Sequence, residues 1–164
     1  MPIDRKSMIL GAVALAAVGT ADGAGTAGAA EARIEAPAER VLGIGGLFFR
    51  SRAPKALARW YFEHLGVDPV PTAYGQAGWQ QAAGPTAFSP FPTDTEYFGS
   101  QQQAFMVNFR VRDLDAMVAQ LKKSQVDVNV DPVKYPNGRF ARLHDPDGNP
   151  IELWEPQLSV PHAG

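Results

Sequence analysis

The chain has no cysteine, which removes disulfides, thiolate nucleophiles and cysteine-rich zinc sites together and leaves the redox compartment open. It has only three histidines, His64, His144 and His162, so any metal would have to lean on carboxylates, amides or tyrosine, and its site would be sparsely supplied. Charge is thin as well: 20% of residues are charged, the net charge is -2, and no basic cluster gives an electrostatic footprint for nucleic acid. What is plentiful is apolar, since 45% hydrophobic content over 164 residues fits a globular protein with a real core. These balances point to a small-molecule ligand and away from nucleic acid.

Residues 1–32 read as a signal peptide rather than as fold. Arg5-Lys6 form a basic n-region, Met8 to Val18 an apolar h-region of about eleven residues, and Ala27-Gly28-Ala29 or Ala30-Glu31-Ala32 a small-residue cleavage site. The apolar run is too short to span a bilayer, so no stable membrane span is expected once it is removed. Asp4-Arg5-Lys6-Ser7-Met8-Ile9-Leu10 resembles a twin-arginine signal with Lys in place of the second Arg; the ordinary secretory route fits the same residues, and both stay open. A short N-terminal helix is the structural alternative, because Ala-rich segments favour helix. The expectation is an exported protein, periplasmic or secreted, with residues 33–40 a linker and 158–164 a tail carrying His162.

The most legible stretch is Tyr135 to Pro156. Asp145-Pro146-Asp147-Gly148-Asn149 is a reversal in which Pro146 presets φ, the Asp side chains bond local N–H groups and Gly148 accepts positive φ. A β-hairpin follows, and on its outgoing strand Ile151 and Leu153 alternate with Glu152 and Trp154, placing a carboxylate and a large aromatic on one face. The chain also repeats itself. Phe49, Arg50, Arg52 and Ala56 match Phe109, Arg110, Arg112 and Ala116 at an offset of sixty residues. In each copy a strand, near 42–51 and 104–111, leads into a helix. Leu57, Trp60, Tyr61 and Leu65 end at Gly66 in the first; Leu114, Met117, Val118 and Leu121 follow an Asp113 N-cap in the second. Further strands are expected near 68–74, 78–82 and 86–89, then near 126–130, 139–144 and 150–155. The result is an α+β fold of two βαβββ modules, 41–90 and 104–157, joined by a linker over 91–103 and forming a cupped mixed sheet, with helices on one face and a cavity wall on the other.

Two such modules, Trp60-Tyr61 with His64-Leu65-Gly66, and Asp145-Pro146-Asp147-Gly148-Asn149-Pro150-Ile151-Glu152-Leu153 together resemble the vicinal oxygen chelate superfamily, which includes glyoxalase I, extradiol dioxygenases and the fosfomycin- and bleomycin-resistance proteins. The resemblance covers about 41–156 and is specific for the fold more than for any reaction. It implies paired modules cupping a site and, in metal-dependent members, ligands from the first and last strands of each module. Glu152 occupies the final-strand carboxylate position. The other three inherited ligand positions fall on Gly46, Ala87 and Met106, none of which suits a hard cation, so Glu152 is the only inherited ligand and no metal or other cofactor is assigned, though a divalent ion is what the superfamily would use. Paired modules in this group also often make dimers, so a homodimer is expected.

The cavity-facing set from the two first strands is Gly46, Phe48 and Arg50 with Met106, Asn108 and Arg110. Arg50 and Arg110 could clamp an anion with Asn108 beside them, or could pair with Glu152 or another acid. Glu152 reads as a general base or as a carboxylate satisfied for folding; His144, beside the turn, as a catalytic group or a surface residue. His64 at a helix end is explained by the dipole. Trp154, Phe48, Trp79 and Phe88 could line an aromatic-walled pocket, whereas Phe91, Tyr97 and Phe98 read foremost as packing of the linker. The function expected is that of an exported glyoxalase-like protein that acts on or binds a small anionic or aromatic molecule, with a degenerate metal site. The alternative is a metal-dependent lyase, isomerase or dioxygenase with atypical ligands.

Overall fold

The computed structural model describes residues 39–157, so the signal region, nearly all of the linker 33–40 and the tail 158–164 lie outside the described residues. Two helices and four strands form within it: α1 (Pro54–Leu65), β1 (Val107–Arg110), α2 (Leu114–Lys123), β2 (Asn129–Val130), β3 (Gly138–His144) and β4 (Pro150–Pro156). The strands make one sheet in the order β1-β4-β3-β2, with β1 parallel to β4 and the other neighbours antiparallel. This is the mixed α+β architecture expected from the repeat.

Local chemistry fixes the ends of the elements. The Asp113 carboxylate accepts from the Ala116 N–H at 2.9 Å and caps α2, which closes with Lys122 and Lys123 at its negative end. α1 begins on Pro54 and leaves through Gly66, whose N–H returns to the Phe62 carbonyl at 3.1 Å. The hairpin between β3 and β4 closes on Asp145, which is buried and accepts from the Asp147 and Asn149 N–H groups (both 2.9 Å), the Asn149 amide (2.7 Å) and the Tyr61 hydroxyl (2.9 Å). One side chain thus ties the turn to α1.

Alternation along β3 and β4 then sorts the faces. Ala141, Leu143, Ile151 and Leu153 are buried beneath Leu114, Val118 and Leu121 of α2 and Leu57 and Tyr61 of α1. At about 1.5–3 kcal/mol for each large aliphatic side chain withdrawn from water, this stripe is what holds helices to sheet. The opposite face carries Phe140, Arg142 and His144 from β3, Glu152 and Trp154 from β4, and Asn108 and Arg110 from β1.

The first module departs from expectation. None of the strands expected near 42–51, 68–74, 78–82 and 86–89 is formed, and of that module only α1 is regular. The second module is complete, although its first strand starts at Val107 and its second is trimmed to Asn129–Val130. The physical reason is the lack of a neighbour: a strand is defined by backbone partners on an adjacent strand, and 39–53 and 66–106 lie largely exposed without one. The described structure is therefore one module with an extended arm, and the two-module cup is not closed.

Candidate functional site

Glu152 is the centre of the uncovered face. Its side chain is fully buried, at 0% exposure, and a carboxylate there needs donors. They come from three directions. The Asn108 amide on neighbouring β1 donates to Oε2 at 2.9 Å, as the register pairing Asn108 with Glu152 allows. Arg142, opposite it on β3, donates through Nε to Oε1 at 3.4 Å. The Tyr97 hydroxyl, from the linker, donates to Oε1 at 3.0 Å and also lies 3.4 Å from Oε2.

Tyr97 is itself built in. The Arg142 guanidinium carbon lies 4.2 Å from its ring centroid, within cation–π range, and Arg142 Nη1 donates to the Tyr97 carbonyl at 3.0 Å. On the other side Phe91 stacks on Tyr97 with centroids 5.1 Å apart and planes at 22°, and Phe98 closes the cluster. Farther along, the Gln103 amide holds the end of the linker to the Gly148 carbonyl at 3.0 Å. Beside Arg142, whose side chain is one-third exposed, an open cleft of about 330 Å³ is lined by Asn129, Val130, Asp131 and Pro132. That volume is at the small end of the range for ligand pockets.

Of the residues expected to form the site, the structure brings Glu152, Asn108, Arg110 and Trp154 to this face. Arg110 is turned to the arm, donating to the Ala82 carbonyl at 2.7 Å, where Gly84 lets the chain pass close over its guanidinium. Trp154 is buried, stacks on Phe140 and donates to the Asn137 carbonyl at 2.8 Å. His144 shares the face but pairs with Pro150 at its exposed end, roughly 7 Å along the strand from Arg142. Met106 is half-buried just before β1. The remaining three are not brought to Glu152. Arg50 is exposed, Phe48 is 93% exposed and folds over Gly46, and Trp79 meets Phe109, which belongs to the helix-covered side.

From sequence alone, Arg142 falls outside the expected site and Tyr97 reads foremost as packing of the linker. A signal for Arg142 was present, since a hairpin register centred on Asp147 sets it directly across from Glu152.

An α+β protein whose sheet is covered by helices on one face and buries a last-strand carboxylate on the other is the class these features define. Residues 46–154 match the glyoxalase-like domain family, and the chain belongs to it and hence to the vicinal oxygen chelate superfamily. Among solved structures, TnmS3, an antibiotic-binding protein from Streptomyces sp. CB03234, is 30% identical, with a TM-score of 0.42 over 65% of this chain and 88% of that one. A glyoxalase/bleomycin resistance protein from the same organism is also 30% identical, with a TM-score of 0.41 over 64% of this chain and 92% of that one. A glyoxylase/bleomycin resistance protein/dioxygenase domain from Frankia sp. EAN1pec is 17% identical, with a TM-score of 0.46 over 72% of this chain and the whole of that one. No curated protein matches the chain significantly.

The superfamily's divalent ion can be tested against the donor set. The groups on Glu152 are a guanidinium, an amide N–H and a phenol O–H, all presenting hydrogens to the carboxylate, and a guanidinium at that distance repels a cation. Among the described residues no group of three or more His, Asp or Glu stands together to hold a metal ion. The residues present do not fit a metal centred on Glu152.

Proposed function

We propose that this chain is a binding member of the glyoxalase-like family, taking up a small anionic or aromatic molecule on the uncovered face of the sheet without a resident metal. The observation that carries the reading is the surrounding of Glu152 by three donors, Arg142, Asn108 and Tyr97, whose hydrogens and positive charge favour a fixed, ionised carboxylate over a metal ligand or a general base. Glu152 instead aims Arg142, and Arg142, partly exposed at the cleft, is the group that meets an anion or the face of an aromatic ring. His144 has no place in this scheme beyond the rim. The reading extends to export directed by residues 1–32 and to a homodimer; the mass of the exported protein, short by 29 or 32 residues, tests the first.

The direct experiment is elemental analysis of the purified protein together with titration of aromatic carboxylates by calorimetry. The expected outcome is less than a tenth of an equivalent of divalent metal, and an affinity for aromatic carboxylates that falls about tenfold or more in Arg142→Ala, the loss of one charge-assisted contact. Stoichiometric metal that disappears in Glu152→Ala would favour the metal-dependent lyase, isomerase or dioxygenase instead.

A further inference from the structure

Resting on the binding reading above, we infer that Tyr97 occupies the ligand's own place, and that the ligand is a para-hydroxyaryl compound bearing a carboxylate or carbonyl on a short side chain. The contacts of Tyr97 are those a receptor would offer such a molecule. Its hydroxyl is seated on a fully buried carboxylate, 3.0 Å from Glu152 Oε1. Its ring lies between the Arg142 guanidinium at 4.2 Å and the stacked ring of Phe91 at 5.1 Å. Its carbonyl oxygen, two carbons beyond the ring, accepts from Arg142 Nη1 at 3.0 Å. A phenol donor, a flat ring and an acceptor at the far end are recognised together, and two of Arg142's three interactions are directed at this one residue, the third being its bond to Glu152.

The segment that delivers Tyr97 is suited to leave. Residues 91–103 form neither helix nor strand and follow a long exposed stretch over 81–90. Among the described residues, their side-chain hydrogen bonds to the sheet and its turn run through Tyr97 and through Gln103 to Gly148. When the strap lifts, Arg142 Nη1 loses the Tyr97 carbonyl and is released for an incoming carboxylate, while Glu152 regains a site for an incoming hydroxyl. Ligand and strap then compete for one place, and apparent affinity is reduced by the fraction of molecules in which the strap is down.

The test uses the full chain and 3-(4-hydroxyphenyl)propionate, which reproduces the hydroxyl, ring and carbonyl of Tyr97, with 3-phenylpropionate as the control lacking the hydroxyl. Tyr97→Ala should bind the hydroxylated probe roughly tenfold or more tightly than the wild type does, and the control should gain far less. In the wild type the same probe should increase chymotryptic cleavage after Tyr97 and Phe98. Equal affinity of wild type and variant, with the probe bound, would overturn the self-occupied site while leaving the binding reading in place. Binding of neither compound to either protein would overturn both. Should Tyr97→Ala fail to fold in the presence of probe, Tyr97→Phe decides: loss of the hydroxyl loosens the strap, so tighter probe binding supports the inference and unchanged binding overturns it.

Discussion

At Tyr61 the phenol is buried against Asp145, and burial first, then the neighbouring carboxylate, pushes its pKa well above the ordinary 10.0. A raised value in the folded state means that the stability Tyr61 contributes is complete below the unfolded value and is lost as pH climbs past it. Wild-type protein is therefore expected to lose stability above about pH 10 more steeply than Tyr61→Phe, as read by denaturant midpoints across pH. At neutral pH the same variant should cost only about 1–2 kcal/mol, because Asp145 keeps its three turn donors. Glu152 and its donor Tyr97 differ in how visible they are in sequence. Period-two alternation around Ile151 and Leu153 was enough to set Glu152 on the uncovered face, and it lies there. Its donor Tyr97 is 55 positions away on a segment with no period at all, so no local pattern could pair them.

Among the elements, those with self-contained signals formed where the sequence indicated. Asp113 caps α2, Gly66 ends α1, and the Asp145 to Asn149 reversal joins β3 to β4 with Gly148 at φ 86°. Strands that needed a partner elsewhere in the chain did not form, since alternation at 42–51 specifies an extended backbone but not what lies beside it. The hairpin carries two element-scale tests. Gly138 opens β3 at φ 132° with the Glu155 carbonyl only 2.1 Å from where a Cβ would sit, so Gly138→Ala should destabilise by about 3 kcal/mol, read as a lowered thermal midpoint with the β3–β4 register disturbed. Across the turn, hydrogen bonding from Ser51 and then from Arg52 holds Asp147 below its ordinary 3.8. A depressed carboxylate stabilises the fold above that ordinary value and ceases to as pH falls through the lower folded one. The tether of 51–52 to the turn should accordingly persist as pH falls through the ordinary carboxylate value and release only below it, with amide exchange at Arg52 rising there and Asp147→Asn showing the release already at neutral pH.

For the whole molecule the arm is the decisive feature. Val41, Leu42, Phe48, Val70, Tyr74 and Phe88 are each at least 85% exposed, a concentration of large apolar side chains that a lone soluble chain rarely tolerates. Scattered apolar residues need no cover, but these six fall within one continuous half of the chain, while the buried core is drawn from the other half together with α1. The arm also carries Phe49-Arg50, the counterpart by repeat of Phe109-Arg110 in β1, and β1 forms the outer edge of the sheet with β4 as its one neighbour within it. An extended segment lacking a sheet and a sheet with an open edge are complementary requirements, and in two copies each could answer the other's. The proposed homodimer follows from that reciprocity: arm strands of one copy would extend the sheet of its partner, covering the apolar residues and walling the uncovered face that holds Arg142. Sedimentation equilibrium should give twice the chain mass at micromolar concentration, and Leu42→Asp with Phe48→Asp should shift the protein toward monomer while sparing α2 and the β3–β4 hairpin, whose contacts lie within one copy. A wild-type protein that stays monomeric at those concentrations, with 41–90 unprotected in hydrogen exchange, would mean instead that the arm is covered by something other than a second copy.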